Sequence, residues 1–152
     1  MKARAPLVAI NTPRLGSIST GFRTASETWL CWVRASRKIE VEQILQTTQA
    51  WDGTAYKNYP TGQPQLTVLR IKVPPHTALH WHYHPVISVG YVLSGELTVE
   101  KQATGERSIF RTGQALPETI GTIHRGFTTE SPVELIVFYA GQAGVPITVN
   151  QE

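Results

Sequence analysis

The sequence predicts one all-β domain, an antiparallel barrel of jelly-roll type behind an irregular N-terminal extension, and three observations carry that expectation. The chain has 152 residues, enough for one ordinary core and too few for separate cofactor and substrate domains. From about Ile39 onward, short β-rich runs recur with turn residues between them. A single cysteine, Cys31, leaves no pair to bracket a core tryptophan, which favours a jelly roll over an immunoglobulin-like sandwich.

The elements follow in order. Leu66 to Val73 alternates cleanly and stops at Pro74-Pro75. Next come Thr77 to His84, Val86 to Leu93, Glu96 to Lys101, Arg107 to Phe110, Gln114 to Leu116, Ile123 to Thr128 and Val133 to Ala140. Ser94-Gly95, Thr104-Gly105, Thr112-Gly113 and Ser131-Pro132 read as the turns. The stretch Val41 to Gln46 reads as a short helix or a strand. The barrel is expected to span residues 44–148.

Residues 1–38 show neither period-2 alternation nor an amphipathic stripe. They hold seven basic residues against one acidic, whereas the remainder holds seven basic and ten acidic. The net charge of +3 therefore belongs to this segment, and its scattered arginines argue against a nucleic-acid partner. The segment reads as an irregular tail, a stretch upstream of the true start, or, being Arg- and hydroxyl-rich, an organellar transit peptide. Cytoplasmic location is the expectation otherwise. Hydrophobic residues make up 41% without any run approaching the roughly 18 apolar residues of a membrane span, so no membrane partner is expected.

The lone cysteine also excludes a multi-thiolate metal site, so any metal must be held by imidazole and carboxylate. Four of the five histidines fall between His76 and His84. In His80-Trp81-His82-Tyr83-His84, strand alternation puts the three imidazoles on one face and both aromatics on the other. Same-face neighbours lie about 6.6–6.8 Å apart along a strand, close enough for two imidazoles to lean toward one ion. His124, from another strand, could supply a third nitrogen. His76 reads as a loop residue, and Trp51, Phe138 and Tyr139 as core or interface aromatics.

These motifs resemble the cupins, small β-barrel proteins whose first motif is Gly-x5-His-x-His-x(3,4)-Glu-x6-Gly and whose second is Gly-x5-Pro-x-Gly-x2-His-x3-Asn. The stretch HYHPVISVGYVLSG is similar to the first through His82, His84 and Gly95, and GQALPETIGTIHRGFT to the second through Gly113, Gly121 and His124. Ser88 stands in the usual glutamate position, Thr119 in that of the proline and Thr128 in that of the asparagine.

The resemblance implies a divalent transition metal (Fe, Zn, Mn, Ni or Cu) on His82, His84 and His124. Three neutral ligands leave the ion's charge uncompensated, favouring a small anionic substrate. His80, by parity, and Glu118, if the strand is regular through Pro117, are candidate additional ligands.

By analogy with the three-histidine iron sites of thiol and β-diketone dioxygenases, a small metal-dependent dioxygenase is one reading. The alternatives are a non-enzymatic metal- or ligand-binding barrel, as sensor or store, and a metal-free isomerase. The nucleophile elbow and phosphate-binding glycine loop are absent. A homodimer is expected, because sheet edges need cover and Trp81 and Tyr83 point outward.

Overall fold

Among the described residues alternation builds nine strands, all antiparallel in their pairings: β1 (Pro64–Val73), β2 (His82–Tyr83), β3 (Ile87–Ser94), β4 (Glu96–Lys101), β5 (Arg107–Arg111), β6 (Ala115–Pro117), β7 (His124–Phe127), β8 (Val133–Gln142) and β9 (Val149–Asn150). This computed structural model describes residues 38–151. The readings made of residues 1–37 lie outside that range. Among the described residues there is no helix, and so none long and apolar enough to cross a membrane.

The strands form two sheets, ordered β1-β8-β3-β6 and β5-β4-β7-β2-β9. The expected closed barrel is thus two separately hydrogen-bonded sheets. Period-2 burial fixes which side of each strand faces the core, because Val133, Leu135, Val137 and Tyr139 of β8 are buried while their neighbours are not. On β3 the buried set is Ser88, Gly90 and Val92. Leu97 and Val99 of β4 join the same cluster as Val92, Leu116 and Leu135.

Two expected elements change. The run from Thr77 to His84 yields only the two residues of β2, because Pro74, Pro75 and a left-handed His76 (φ 52°) turn the chain first. An isolated bridge from Ala78 to Phe127 and the bond from Leu79 N–H to the Gly126 carbonyl (2.9 Å) hold the approach. Val41 to Gln46 is neither helix nor strand, and Val41 is 91% exposed.

Thr128, in place of an asparagine, ties this corner. Its hydroxyl donates to the Pro74 carbonyl (2.5 Å) and accepts from Thr77 N–H (3.1 Å).

The second sheet is braced by Glu100 on β4, between β5 and β7. Arg107 of β5 reaches one carboxylate oxygen (3.0 and 2.6 Å) and Arg125 of β7 the other (3.0 and 2.8 Å). Two such charge-assisted forks also carry geometry, because guanidinium and carboxylate are planar. Arg125 lies 4.3 Å over the Trp81 ring, so this tryptophan is half-buried and occupied.

Hydrogen bonds from Arg107, then Arg125, hold the Glu100 carboxyl below the ordinary glutamate range. Their stabilisation is complete above the pKa of an unfolded glutamate and is lost as pH falls through the lower folded value. Glu100→Gln should therefore melt earlier than wild type at about pH 7, with a smaller deficit at a pH below the ordinary glutamate range. A deficit of the same size at both pH values would refute the assignment.

Candidate metal centre

The sheet register brings the histidines together. His82 of β2 is the direct cross-strand partner of His124 on β7. His84, two residues on, leaves the strand but makes a parallel bridge to Ile120, and its imidazole stays on the same side. Ring centroids are 4.9 Å apart for His82 and His84, 4.7 Å for His82 and His124, and 5.2 Å for His84 and His124. His84 and His124 are buried and His82 half-buried.

Each ring is oriented by a carbonyl. Nδ1 of His82 is 2.8 Å from the His80 carbonyl, that of His84 is 2.7 Å from the Ile147 carbonyl, and that of His124 is 2.8 Å from the Thr122 carbonyl. A carbonyl oxygen can only accept, so Nδ1 is the donor in all three rings. In the neutral imidazole the lone pair then sits on Nε2. The backbone thereby selects the tautomer that can bind a metal, the usual outer-shell arrangement of ligating histidines.

One ligand atom from each histidine lies within 4.8 Å of the others. Two nitrogens bound to one ion at about 2.0–2.1 Å lie about 3–4 Å apart, so small ring rotations complete a common site. The donor set fits a borderline transition metal.

Thr119, fully buried in place of a proline, sets its hydroxyl 3.2 Å from Nδ1 of His124. Thr148 does the same for His84, also at 3.2 Å.

Of the other candidates, His80 is exposed and stands at the cavity wall outside the three-imidazole group. Glu118 is buried, with Oε2 3.3 Å from Nε2 of His124. Ser88 is buried on β3, its hydroxyl without a hydrogen-bond partner. His76 sits in the turn, 3.6 Å from a carboxylate oxygen of Glu130.

Electrostatics separate the three rings. Burial, reinforced by the neighbouring imidazoles, pushes His82 and His84 below the usual imidazole range, which keeps both neutral. Burial acts the same way on His124, but the Glu118 carboxylate outweighs it and raises the pKa. The Glu118 carboxyl moves down in turn: burial opposes this, and His124, His84 and His82 overcome it.

Tyr139, read as a core or interface aromatic, is buried on β8 and stands edge-on to His84 at 5.5 Å. Two further neighbours of the site were not singled out from sequence. Asn150 of β9 pairs with His82 on the side opposite His124. Tyr56 donates its hydroxyl to the Glu118 carbonyl (2.6 Å), and burial pushes that phenol up to about 12, so it remains a donor. The short alternation Ile147-Thr148-Val149-Asn150 was the available signal for β9.

The histidines border a cavity of about 250 Å³. Its far wall is aliphatic, from residues such as Leu69, Ile71, Leu97, Leu135 and Val137, and none of its lining residues is Lys or Arg.

Residues 69–139 match the cupin domain family. No curated protein matches the chain. Among solved structures, the lyase DddQ of Ruegeria pomeroyi DSS-3, described as a DMSP lyase, aligns with a TM-score of 0.50 and 19% identity over 57% of this chain and 43% of that one. The polyketide cyclase RemF of Streptomyces resistomycificus aligns with a TM-score of 0.50 and 18% identity, over 60% of this chain and 63% of that one. A cupin-like protein of Thermotoga maritima aligns at 0.49 with 15% identity, over 57% and 64%. The chain thus spans less than two thirds of each, and at these identities the likeness is one of fold. The family match covers residues 69–139, just under half of the chain, and that stretch is similar to a cupin domain.

Proposed function

We propose that His82, His84 and His124 hold one divalent transition metal and that the adjoining cavity receives a small anionic substrate for an oxygen-dependent reaction. The observation that carries this reading is the commitment of all three Nδ1 atoms to backbone carbonyls, which leaves Nε2 as the free ligand atom of three clustered rings. The two sheets are read as the jelly-roll barrel of the family, with the site between them.

A bound ion would supply Lewis acidity and, if iron, one-electron chemistry toward oxygen. The chain's own residues do the rest. The aliphatic wall gives the far side of the cavity an apolar lining, and the absence of Lys and Arg from the lining leaves the metal as the attraction for an anion. A cavity of about 250 Å³ lies below the roughly 300–1,000 Å³ of drug-sized sites, so the substrate is small.

A homodimer belongs to the same reading. Its apolar surface is not Trp81 and Tyr83, which are half-buried, but the outer face of the first sheet, where Leu66, Val68 and Phe138 are exposed.

The test is elemental analysis of natively purified protein, followed by oxygen uptake with Fe(II)-loaded and metal-free samples across small carboxylates, thiols and β-diketones. One equivalent of metal and metal-dependent uptake are expected. Metal without uptake on any of these would favour a non-enzymatic metal- or ligand-binding domain, and no metal binding at all would end the reading.

A further inference from the structure

The backbone puts a carboxylate directly across from Ser88. Strands β3 and β6 pair Tyr91 with Ala115, Gly90 with Leu116 and Val89 with Pro117. Glu118 N–H then bonds the Ser88 carbonyl at 3.0 Å, which carries the register one residue further. Directly opposed residues of an antiparallel pair project to the same face, and burial of both Ser88 and Glu118 agrees with that. At this level of the sheet β3 offers a short hydroxyl, and its neighbour offers a carboxylate.

The carboxylate is aimed at the histidines and lacks a donor. Glu118 Oε2 is buried without a hydrogen-bond partner, and so is His124 Nε2, 3.3 Å away. With Nδ1 of His124 already donating to a carbonyl, the contact across that gap needs either a proton on Nε2 or a metal ion between the two atoms. A proton makes it an ion pair, and a divalent ion would take both atoms as ligands.

Glu118 is also held in place. Tyr56 fixes its carbonyl, and Trp51 N–H bonds the Pro117 carbonyl at 2.9 Å. This segment, Trp51 to Tyr56, therefore buttresses the site from outside the paired strands.

We propose that Glu118 is the fourth protein ligand of the metal, supplied from the strand beside the one that carries Ser88. The assignment rests on the three-histidine reading and deepens it. One carboxylate lowers the uncompensated charge of a divalent ion from two to one, leaving a cationic site that still attracts an anion.

The test uses the full chain and Co(II), whose visible spectrum reports the ligand set independently of activity. Wild type is expected to take one equivalent. Glu118→Gln keeps the shape and loses the charge, and should weaken binding by about 10- to 100-fold or more, the loss seen even for outer-shell partners, with a changed Co(II) spectrum. The transposed variant Ser88→Glu, Glu118→Ser returns the carboxylate to the same level of the sheet from the other strand. It should recover affinity to within about tenfold of wild type, because ligand type and count set the affinity.

Glu118→Gln with wild-type affinity and spectrum would overturn the proposal. So would a folded transposed variant that binds no better than Glu118→Gln. If wild type itself takes no Co(II), the three-histidine reading fails with it, an outcome distinct from either of those.

Discussion

Wild-type protein is expected to carry one transition metal per chain, and the double variant His82→Ala, His124→Ala to carry essentially none. The two residues are cross-strand partners, so one double substitution removes two of the three convergent nitrogens and leaves His84 with, at most, the Glu118 carboxylate. One imidazole and one carboxylate are too few to retain a divalent ion through desalting. The expected loss of affinity exceeds the about 10- to 100-fold seen when only an outer-shell partner is removed.

The fold should survive the change. The best-buried aliphatic residues, Val92, Val99, Leu116 and Val133, are untouched, and the truncated side chains border a cavity that water can enter. Some stability is lost, because Glu118 is left buried without the imidazole that faces it. Elemental analysis after metal loading, with circular dichroism to confirm folding, checks both halves. Equal metal in the folded double variant would place the metal elsewhere.

The readable part of this molecule is what alternation controls. Runs such as Val133 to Ala140 announce their buried face directly, and the same parity puts His82 and His84 on one side. What could not be read was set by contacts distant in sequence. β9 is two residues long and exists because β2 offers it a free edge. β2 is short because, after the turn at Pro74, Pro75 and His76, Ala78 and Leu79 meet β7 only through an isolated bridge and a single hydrogen bond.

Glu118 was open for a local reason. Pro117 donates no backbone hydrogen bond and suggests an irregular strand. Yet it sits at the last paired position, and the ladder resumes with the next N–H. Phe138 was read as a core or interface aromatic, and it is 40% exposed on the outer face of β8. A sheet with one covered face allows that, and the sequence period does not say which side is covered.

Gly95→Ala should cost more stability than any other single methyl addition at the glycines of the described chain. Gly95 links β3 to β4, and so joins the two sheets, with φ of +84°, a region that L side chains rarely enter. A Cβ there would lie 2.0 Å from the Pro132 carbonyl oxygen and 3.0 Å from its carbon, both backbone atoms that cannot rotate away. The conformation alone costs about 1–3 kcal/mol, and forced displacement of packed atoms about 1–3 kcal/mol more.

Gly113 separates the two effects. Its φ is +85°, nearly the same, but nothing lies within 4 Å of its added Cβ. Gly113→Ala should therefore lose only the conformational part, whereas Gly95→Ala loses both. For a domain of this size each kcal/mol is worth several degrees, so Gly95→Ala should melt roughly ten degrees or more below wild type and clearly below Gly113→Ala. Urea midpoints with unchanged slopes would assign the difference to the folded state. Equal losses in the two variants would mean that the Pro132 segment yields freely, and that the approach between this turn and the loop before β8 is not a fixed feature of the fold.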